Sequence, residues 1–133
     1  VDNDVRAMAL GESWFGATKD IANFVTLNIS NGIGAGIIIN NTPYYGVNFS
    51  AGEIGHIVVE ADGDKCNCGN YGCLETVASN NNIIRKAIKL IKQGVNSSLS
   101  KDIDDINNLS IEDICKAASD GDELSITILK ESG

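Results

Sequence analysis

The two halves of the chain differ in how apolar and polar positions are arranged. The first half has short alternating runs broken by glycine, whereas the second has apolar stripes at helical spacing. The opening residues 1–16 predict a helix, which Asn3 or Asp4 can cap and Gly16 can end. For Asp4, a role as helix cap competes with a role as a carboxylate at the mouth of a cleft, and composition alone favours the cap.

A small sheet is predicted to follow this helix. Residues 24–29 alternate apolar with polar positions and predict a strand, which a glycine-rich turn over 30–36 joins to a second strand over 37–39. A third short strand is predicted over 42–47, and a fourth over 57–60, inside a segment rich in cysteine.

The glycine-rich turn has two interpretations. Gly32, Gly34 and Gly36 would let backbone amides approach a phosphate. No Lys-Ser or Lys-Thr pair ends the run, as a Walker A loop requires, and no helix is predicted directly after it, as a dinucleotide fingerprint requires. A bulged hairpin explains the same glycines at least as well, so both interpretations stay open.

Helices are predicted over the rest of the chain. Ser79 can cap a helix whose apolar stripe belongs to a core and which Gly94 ends. Residues 95–108 are polar and predict a mobile linker. Ser110 is expected to cap a short helix that ends at Ala118.

The last helix is predicted to begin at Asp120, with Glu123 as its capping-box partner, and to run to Gly133. Its apolar face needs a surface to cover, and we expect the chain to be truncated at both ends. Cys115 is predicted to be an inert thiol in the core.

Composition narrows the classes of function. Ten Lys and Arg residues stand against 18 Asp and Glu, which gives a net charge of −8 and a poor partner for nucleic-acid phosphates or anionic lipid. No apolar run approaches the roughly 20 residues of a membrane span, and the first residues lack the apolar core of a signal peptide. We expect one domain, or part of one, in the cytoplasm with no membrane partner.

The most concentrated chemistry lies between residues 53 and 75. This stretch holds the single histidine and three of the four cysteines, spaced so that they can close a tetrahedral zinc site: His56, Cys66, Cys68 and Cys73. Cys66 and Cys68 are too close for a comfortable disulfide, so a metal site in a reducing compartment is favoured over disulfides. Glu53 and Glu75 bracket the stretch and could be presented to a ligand.

Several motifs together resemble one family. The segment EIGH, followed after nine residues by CNCGNYGCLET, resembles the signature of the ROK family, which joins bacterial sugar kinases and sugar-responsive transcriptional repressors. DNDVRAMALGE resembles the family's N-D helix, SNGIGAGIIIN its second phosphate motif, and ASDGDELSITILKESG the helix that follows the zinc region. The resemblance covers nearly the whole chain.

The resemblance implies an α/β fold of the actin-like, ribonuclease H-like ATPase class, built from two lobes. This chain would be the end of the N-terminal lobe and the first part of the C-terminal lobe with its zinc-binding loop. Residues 1–22 would be a helix from lobe one, 23–79 the strands and zinc loop of lobe two, and 80–133 its helical part. The first phosphate motif, the adenosine-side motif and, in repressors, a helix-turn-helix would lie outside these residues.

The resemblance also implies site residues. Structural zinc would be held by His56, Cys66, Cys68 and Cys73, with no position left open for catalysis. Contacts to sugar hydroxyls would come from Asn3, Asp4, Glu53, His56 and Glu75. In a kinase, Asp4 would be the general base, and the phosphates of ATP-Mg would meet Asn31, Gly32 and Gly34, with ATP bound only by the full-length protein.

Two departures favour the repressor branch, and NDVR…FGA together with CGNYGCLETVAS resembles its xylose- and N-acetylglucosamine-type members. Asn31 stands where kinases frequently carry threonine, and Arg6 stands where they more often carry a small residue or asparagine. We therefore expect the sugar-sensing part of a repressor, in which sugar-driven closure of the lobes repositions distant DNA-binding segments of a homo-oligomer. An ATP-dependent sugar kinase is the alternative, and a zinc-stabilised interaction module without a ligand is a third class.

Overall fold

The computed structural model describes residues 4–102 and 106–133. Its helices and strands, in chain order, are α1 (Asp4–Phe15), β1 (Phe24–Ile29), β2 (Ile33–Ile39), β3 (Thr42–Pro43), α2 (Leu74–Ala78), α3 (Asn80–Lys92), α4 (Leu99–Asp102), α5 (Ile111–Ser119) and α6 (Glu123–Ser132). Short 3-10 turns lie at Ile54–His56 and Ile106–Asn108. Within the described ranges, no helix is long and apolar enough to cross a membrane.

The three strands form one antiparallel sheet in the order β1-β2-β3. Phe24 pairs with Ile38 and Ile29 pairs with Ile33. β1 therefore has its predicted bounds, whereas the prediction that the second strand covers only 37–39 was wrong. The pairing with β1 continues through the glycines, so the turn between the strands is much shorter than expected.

Glycine in β2 lets α1 pack directly on the sheet. A Cβ atom on Gly36 would lie 2.5 Å from the carbonyl oxygen of Val5 and 2.6 Å from the Cβ of Ala9. Val5 and Ala9 are on the buried face of α1. A Cβ atom on Gly34 would also contact Val5, at 3.1 Å. These two glycines therefore have a packing role, because a larger residue would push the helix away from the strand.

The two other predicted strands are shorter or absent. β3 is confined to two residues and does not extend over 42–47. Residues 57–60 form no strand, and Val58 makes only an isolated bridge to Cys73. The prediction was wrong because the backbone here pairs with the cysteine-rich loop instead of the sheet.

The second half of the chain forms a helical layer with its own core. Ala87 of α3, Ile114 of α5 and Ile128 of α6 are fully buried in one cluster. Ala117 is buried on the same stripe of α5 as Ile114. Cys115 lies beside this stripe and is exposed, so its prediction as a core thiol was wrong.

The segment 95–108 is held to this helical layer, against the expectation of a mobile linker, although its residues 103–105 lie outside the described ranges. Leu99 is 5% exposed and belongs to the core. Asp122 accepts hydrogen bonds from the hydroxyl of Ser97 at 3.0 Å and from the amide of Ser98 at 2.7 Å. The polar composition was misleading because these polar groups bind a carboxylate distant in sequence.

The caps of the last two helices differ in how well they were predicted. Ser110 caps α5 as expected and forms a capping box with Asp113. α6 is capped by Asp122, whose side chain accepts the amide of the third helical residue, and not by Asp120. Asp120 is the C-cap of α5, so the turn between the helices is longer than the sequence indicated.

Candidate functional site

One cleft collects the polar residues on which the sequence analysis centred. Asp4, Glu53, His56 and Glu75 all line a cavity of about 190 Å³ between the start of α1, the start of β2 and the start of α2. The cavity is smaller than the roughly 300–1,000 Å³ of sites for drug-sized ligands, so it suits a small ligand. Asn3, the remaining residue of the expected sugar contacts, lies outside the described residues.

Asp4 is brought to the cleft by the N-terminus of α1. It is the first residue of the helix, and its Oδ1 accepts the amide of Val5 at 2.8 Å. The side chain is exposed, and it lines the cavity at the same time. A helix N-terminus favours a negative charge. Asp4 is therefore a cleft carboxylate in the first turn of α1, and its role as the helix cap stays a prediction.

Glu75 joins the start of α2 to the hairpin. Its Oε2 accepts the backbone amide of Ile33, the first residue of β2, at 3.0 Å. A Cβ atom on Gly32 would lie 3.0 Å from the same oxygen. The absence of a side chain at this position therefore leaves room for the carboxylate beside the turn.

The two ring nitrogens of His56 face different groups, one the cysteine cluster and the other the cleft. Its Nδ1 lies 3.6 Å from Cys66 Sγ, and its Nε2 lies 3.9 Å from Glu53 Oε2 on the cleft side. The 3-10 turn Ile54–His56 fixes this arrangement, because it places Glu53 and His56 one turn apart. The imidazole could therefore bind a metal through Nδ1 and donate a hydrogen bond from Nε2.

The four predicted metal ligands lie together. The Nδ1 or Nε2 of His56 and the sulfurs of Cys66, Cys68 and Cys73 are all within 4.8 Å of one another. The Cys68 and Cys73 sulfurs are 3.6 Å apart. Tetrahedral zinc with bonds of about 2.3 Å to sulfur and 2.0–2.1 Å to nitrogen implies S–S separations of about 3.8 Å and S–N separations of about 3.6 Å. The donor set and its spacing thus fit a zinc ion.

The thiols of this cluster have different environments. Burial raises the pKa of the Cys73 thiol to about 12, and the neighbouring Cys68 and Cys66 add to the shift. A backbone hydrogen bond from Asn70 lowers the pKa of the exposed Cys68 thiol. Coordination to a dication deprotonates a thiol outright, so a bound metal would override the preference of Cys73 for its neutral form.

The cysteine-rich loop folds around the cluster through backbone hydrogen bonds. The amide of Cys66 donates to the carbonyl of Asn70, and the amide of Gly72 donates to the carbonyl of Asp64, both at 2.8 Å. Gly72 has φ of 65°, and a Cβ atom there would lie 1.6 Å from the carbonyl oxygen of Glu60. Only glycine fits this position, and the backbone turn that it allows leads directly into the buried Cys73.

Arg6 is a cleft residue that the sequence analysis used only to distinguish family branches. It lines the cavity, is 9% exposed, and donates from Nη2 to the carbonyl oxygens of Phe49 and Ala51. No signal in the sequence identified it, because its partners are backbone carbonyls of a distant loop. Asn31, expected to meet phosphate in a kinase, is exposed and is not among the residues that line this cleft.

The whole chain, residues 1–133, matches the model of the ROK family. It is 42% identical over 133 residues to the DNA-binding transcriptional dual regulator NagC of Escherichia coli K12, covering 100% of this chain and 32% of that protein. It is 41% identical over 130 residues to a glucokinase of Halalkalibacterium halodurans, covering 97% of this chain and 39% of that protein.

Among solved structures, the fold is similar to a ROK family glucokinase from Streptomyces griseus in complex with glucose and AMPPNP. The TM-score is 0.81 at 32% sequence identity, over 99% of this chain and 43% of that chain. The actin-like ATPase fold expected from the sequence is thereby confirmed.

The expected likeness to N-acetylglucosamine- and xylose-type repressors is also confirmed, since both kinds are among the matching relatives. The chain spans about a third of the length of the curated relatives it matches. Family model, relatives and fold agree, and the chain belongs to the ROK family.

Proposed function

We propose that this chain is the sugar-binding part of a ROK-family transcriptional repressor, and that it binds its sugar effector in the cleft described above. The observation that carries the proposal is the meeting of Asp4, Glu53, His56 and Glu75 in one small cavity. Carboxylates accept paired hydrogen bonds from adjacent hydroxyls, and an imidazole can donate or accept one more. A sugar ring presents many such hydroxyls in a fixed arrangement, so this set of groups suits it.

The cysteine cluster supports this cleft. A zinc ion would supply a closed, structural centre, because His56, Cys66, Cys68 and Cys73 already provide four ligands. His56 would then be held with Nε2 directed to Glu53 and the cleft. Glu75 follows two residues after Cys73 and is also held by the amide of Ile33. The chain thus places its sugar-facing groups on a fixed support.

Two observations favour a repressor over a kinase. Gly34 and Gly36 are accounted for by the packing of α1 on β2, and Asn31 is exposed and is not among the residues that line the cleft. The case for a phosphate cradle at this hairpin is correspondingly weaker. In a repressor, the sugar would bind between residues 1–22 of one lobe and the remaining residues of the other lobe. Its binding would shift the equilibrium between open and closed lobes and thereby move the DNA-binding segments located elsewhere in a dimer.

The kinase alternative rests on Asp4. Its exposed carboxylate lines the cleft and could take the proton of an attacking sugar hydroxyl. The similarity to a glucokinase is nearly as high as that to NagC. In that case ATP-Mg would be held by parts of the full-length protein outside this chain.

Metal analysis tests the support of the cleft. We expect about one zinc ion per chain in the full-length protein, loss of zinc in Cys68→Ser, and full retention in Cys115→Ser. Cys115 is a matched control because it is an exposed cysteine outside the cluster. A zinc-free wild-type protein would contradict the metal centre.

Three further measurements separate the function classes. Calorimetry and thermal denaturation with neutral hexoses, pentoses and N-acetylhexosamines should reveal a ligand that raises the melting temperature. That ligand should release operator DNA from a repressor. A kinase would instead show ATP-dependent phosphorylation of the sugar that disappears in Asp4→Asn. Zinc without stabilisation by any of these sugars would indicate an interaction module and would contradict the proposal.

A further inference from the structure

The side chain of Arg6 connects α1 to the loop formed by residues 44–52. Its Nη2 donates to the carbonyl oxygen of Phe49 and, at 3.4 Å, to that of Ala51. Its guanidinium carbon lies 5.3 Å from the centre of the Tyr45 ring, in cation–π geometry. Burying a guanidinium costs free energy unless it is hydrogen-bonded. The two carbonyls and the aromatic ring compensate this cost and define the orientation of the Arg6 side chain.

The loop that Arg6 contacts has an unusual backbone. Phe49 has φ of 57°, a left-handed conformation that is unfavourable for a bulky residue. Its side chain is 69% exposed, and its ring lies 5.6 Å from the ring of Tyr45. Such a conformation persists only where surrounding contacts determine it. The bond from Arg6 to the carbonyl of this same residue is one such contact.

The end of the loop is a wall of the cleft. Ala51, Gly52 and Glu53 line the cavity, and Ala51 is also one of the two residues whose carbonyls Arg6 binds. Gly52 is tied to the sheet through its carbonyl, which accepts the amide of Ala35 at 2.8 Å. The position of Glu53 therefore depends on the loop on one side and on the sheet on the other.

We propose that Arg6 is a positioning residue for ligand binding: it holds the loop formed by residues 44–52 in its strained conformation and thereby sets the position of Glu53 in the cleft. This inference rests on the proposed function, since it concerns the same sugar-binding cleft. Lysine cannot replace arginine fully, because a single ammonium group lacks the planar fork that reaches two carbonyls and stacks on a ring.

The test measures sugar affinity and zinc content in the full-length protein. Once the wild type has identified a ligand among the neutral sugars, Arg6→Met should weaken its binding on the order of tenfold while zinc content stays unchanged. The sugar affinity of Arg6→Lys should lie between those of the wild type and Arg6→Met. Phe49→Asn is the matched control, since asparagine tolerates positive φ and keeps the carbonyl, and it should bind within about threefold of wild type.

A double-mutant cycle distinguishes positioning from a general structural effect. If Arg6 acts through Glu53, Arg6→Met should have a much smaller effect on affinity in a Glu53→Gln background than in the wild type. Equal effects in both backgrounds, or wild-type affinity in Arg6→Met, would overturn the inference and leave the proposed function standing. If Arg6→Met fails to fold, Arg6→Lys carries the same cycle. A wild-type protein that binds none of the sugars would overturn the proposed function itself.

Discussion

Replacing Gly36 with alanine tests the packing of α1 on β2 and, with it, the interpretation of the glycine-rich motif. The added Cβ would lie 2.5 Å from the carbonyl oxygen of Val5, whereas ordinary contacts begin at 3.4 Å. It would also lie 2.6 Å from the Cβ of Ala9. Both obstacles belong to the helix itself and not to the end of a flexible side chain. α1 must therefore move away from the strand by about 1 Å, the difference between these distances and an ordinary contact.

The expected cost follows from this overlap. Overpacking in a well-packed region typically destabilises by about 1–3 kcal/mol, and the reduced freedom of alanine in the unfolded chain offsets roughly 0.4–1 kcal/mol of that. We expect a net loss of about 1–2 kcal/mol. Because Asp4 is the first residue of α1, the same displacement should also weaken sugar binding.

Gly11→Ala is a matched control, because it adds the same methyl group to the helix α1 instead of to the strand β2. Gly11 lies within α1, and a Cβ atom there meets nothing within 4 Å. Alanine should therefore stabilise the helix by about 0.5–1 kcal/mol. Urea denaturation and sugar titration of both variants in the full-length protein provide the comparison. Unchanged stability of Gly36→Ala with loss of ATP binding would refute the packing role and favour a phosphate cradle.

Two further predictions concern the helical layer. Desolvation opposes ionisation of Asp122, but hydrogen bonds from Ser125, Ser98 and Ser97 outweigh it and lower its pKa to about 2. The ionised form of Asp122 thus stabilises the folded state, and this stabilisation should be complete above about pH 4 and lost as the pH falls towards 2. Asp122→Ala should cost about 1–2 kcal/mol of folding stability at neutral pH. The control Asp120→Ala should change the stability by less than about 0.5 kcal/mol. Ile128→Ala should cost about 2–5 kcal/mol in urea denaturation because Ile128 is fully buried, whereas Val47→Ala, at a position 95% exposed, should change little.

The sequence predicted best where local chemistry decides structure. The alternation over β1 defined its bounds, and Ser110 was recognised as a cap because serine favours that position. The four candidate metal ligands were predicted to lie together, and they do, since three cysteines and a histidine are concentrated in one short segment. In each of these cases the residues that interact are close together in the sequence.

Contacts between distant segments were not predictable in the same way. The start of β2 depends on pairing with β1 through residues whose glycines indicate a turn. Ser97 and Ser98 are held by Asp122, which is also the residue that caps α6. The role of Arg6 depends on carbonyls more than 40 residues away, and a backbone acceptor has no signature in the sequence.

The candidate metal site and the cleft share His56, so their binding equilibria are expected to be linked. Glu53 lies one turn before His56, and Glu75 lies two residues after Cys73. A metal that fixes His56 and Cys73 also fixes these carboxylates. By linkage, the factor by which the metal tightens sugar binding must equal the factor by which the sugar tightens metal binding. Sugar titration of the metal-loaded and chelator-stripped protein measures the first factor, and chelator competition with and without sugar measures the second. If both factors equal one, metal binding and sugar binding are independent. If both factors are equal and large, the metal contributes to sugar recognition.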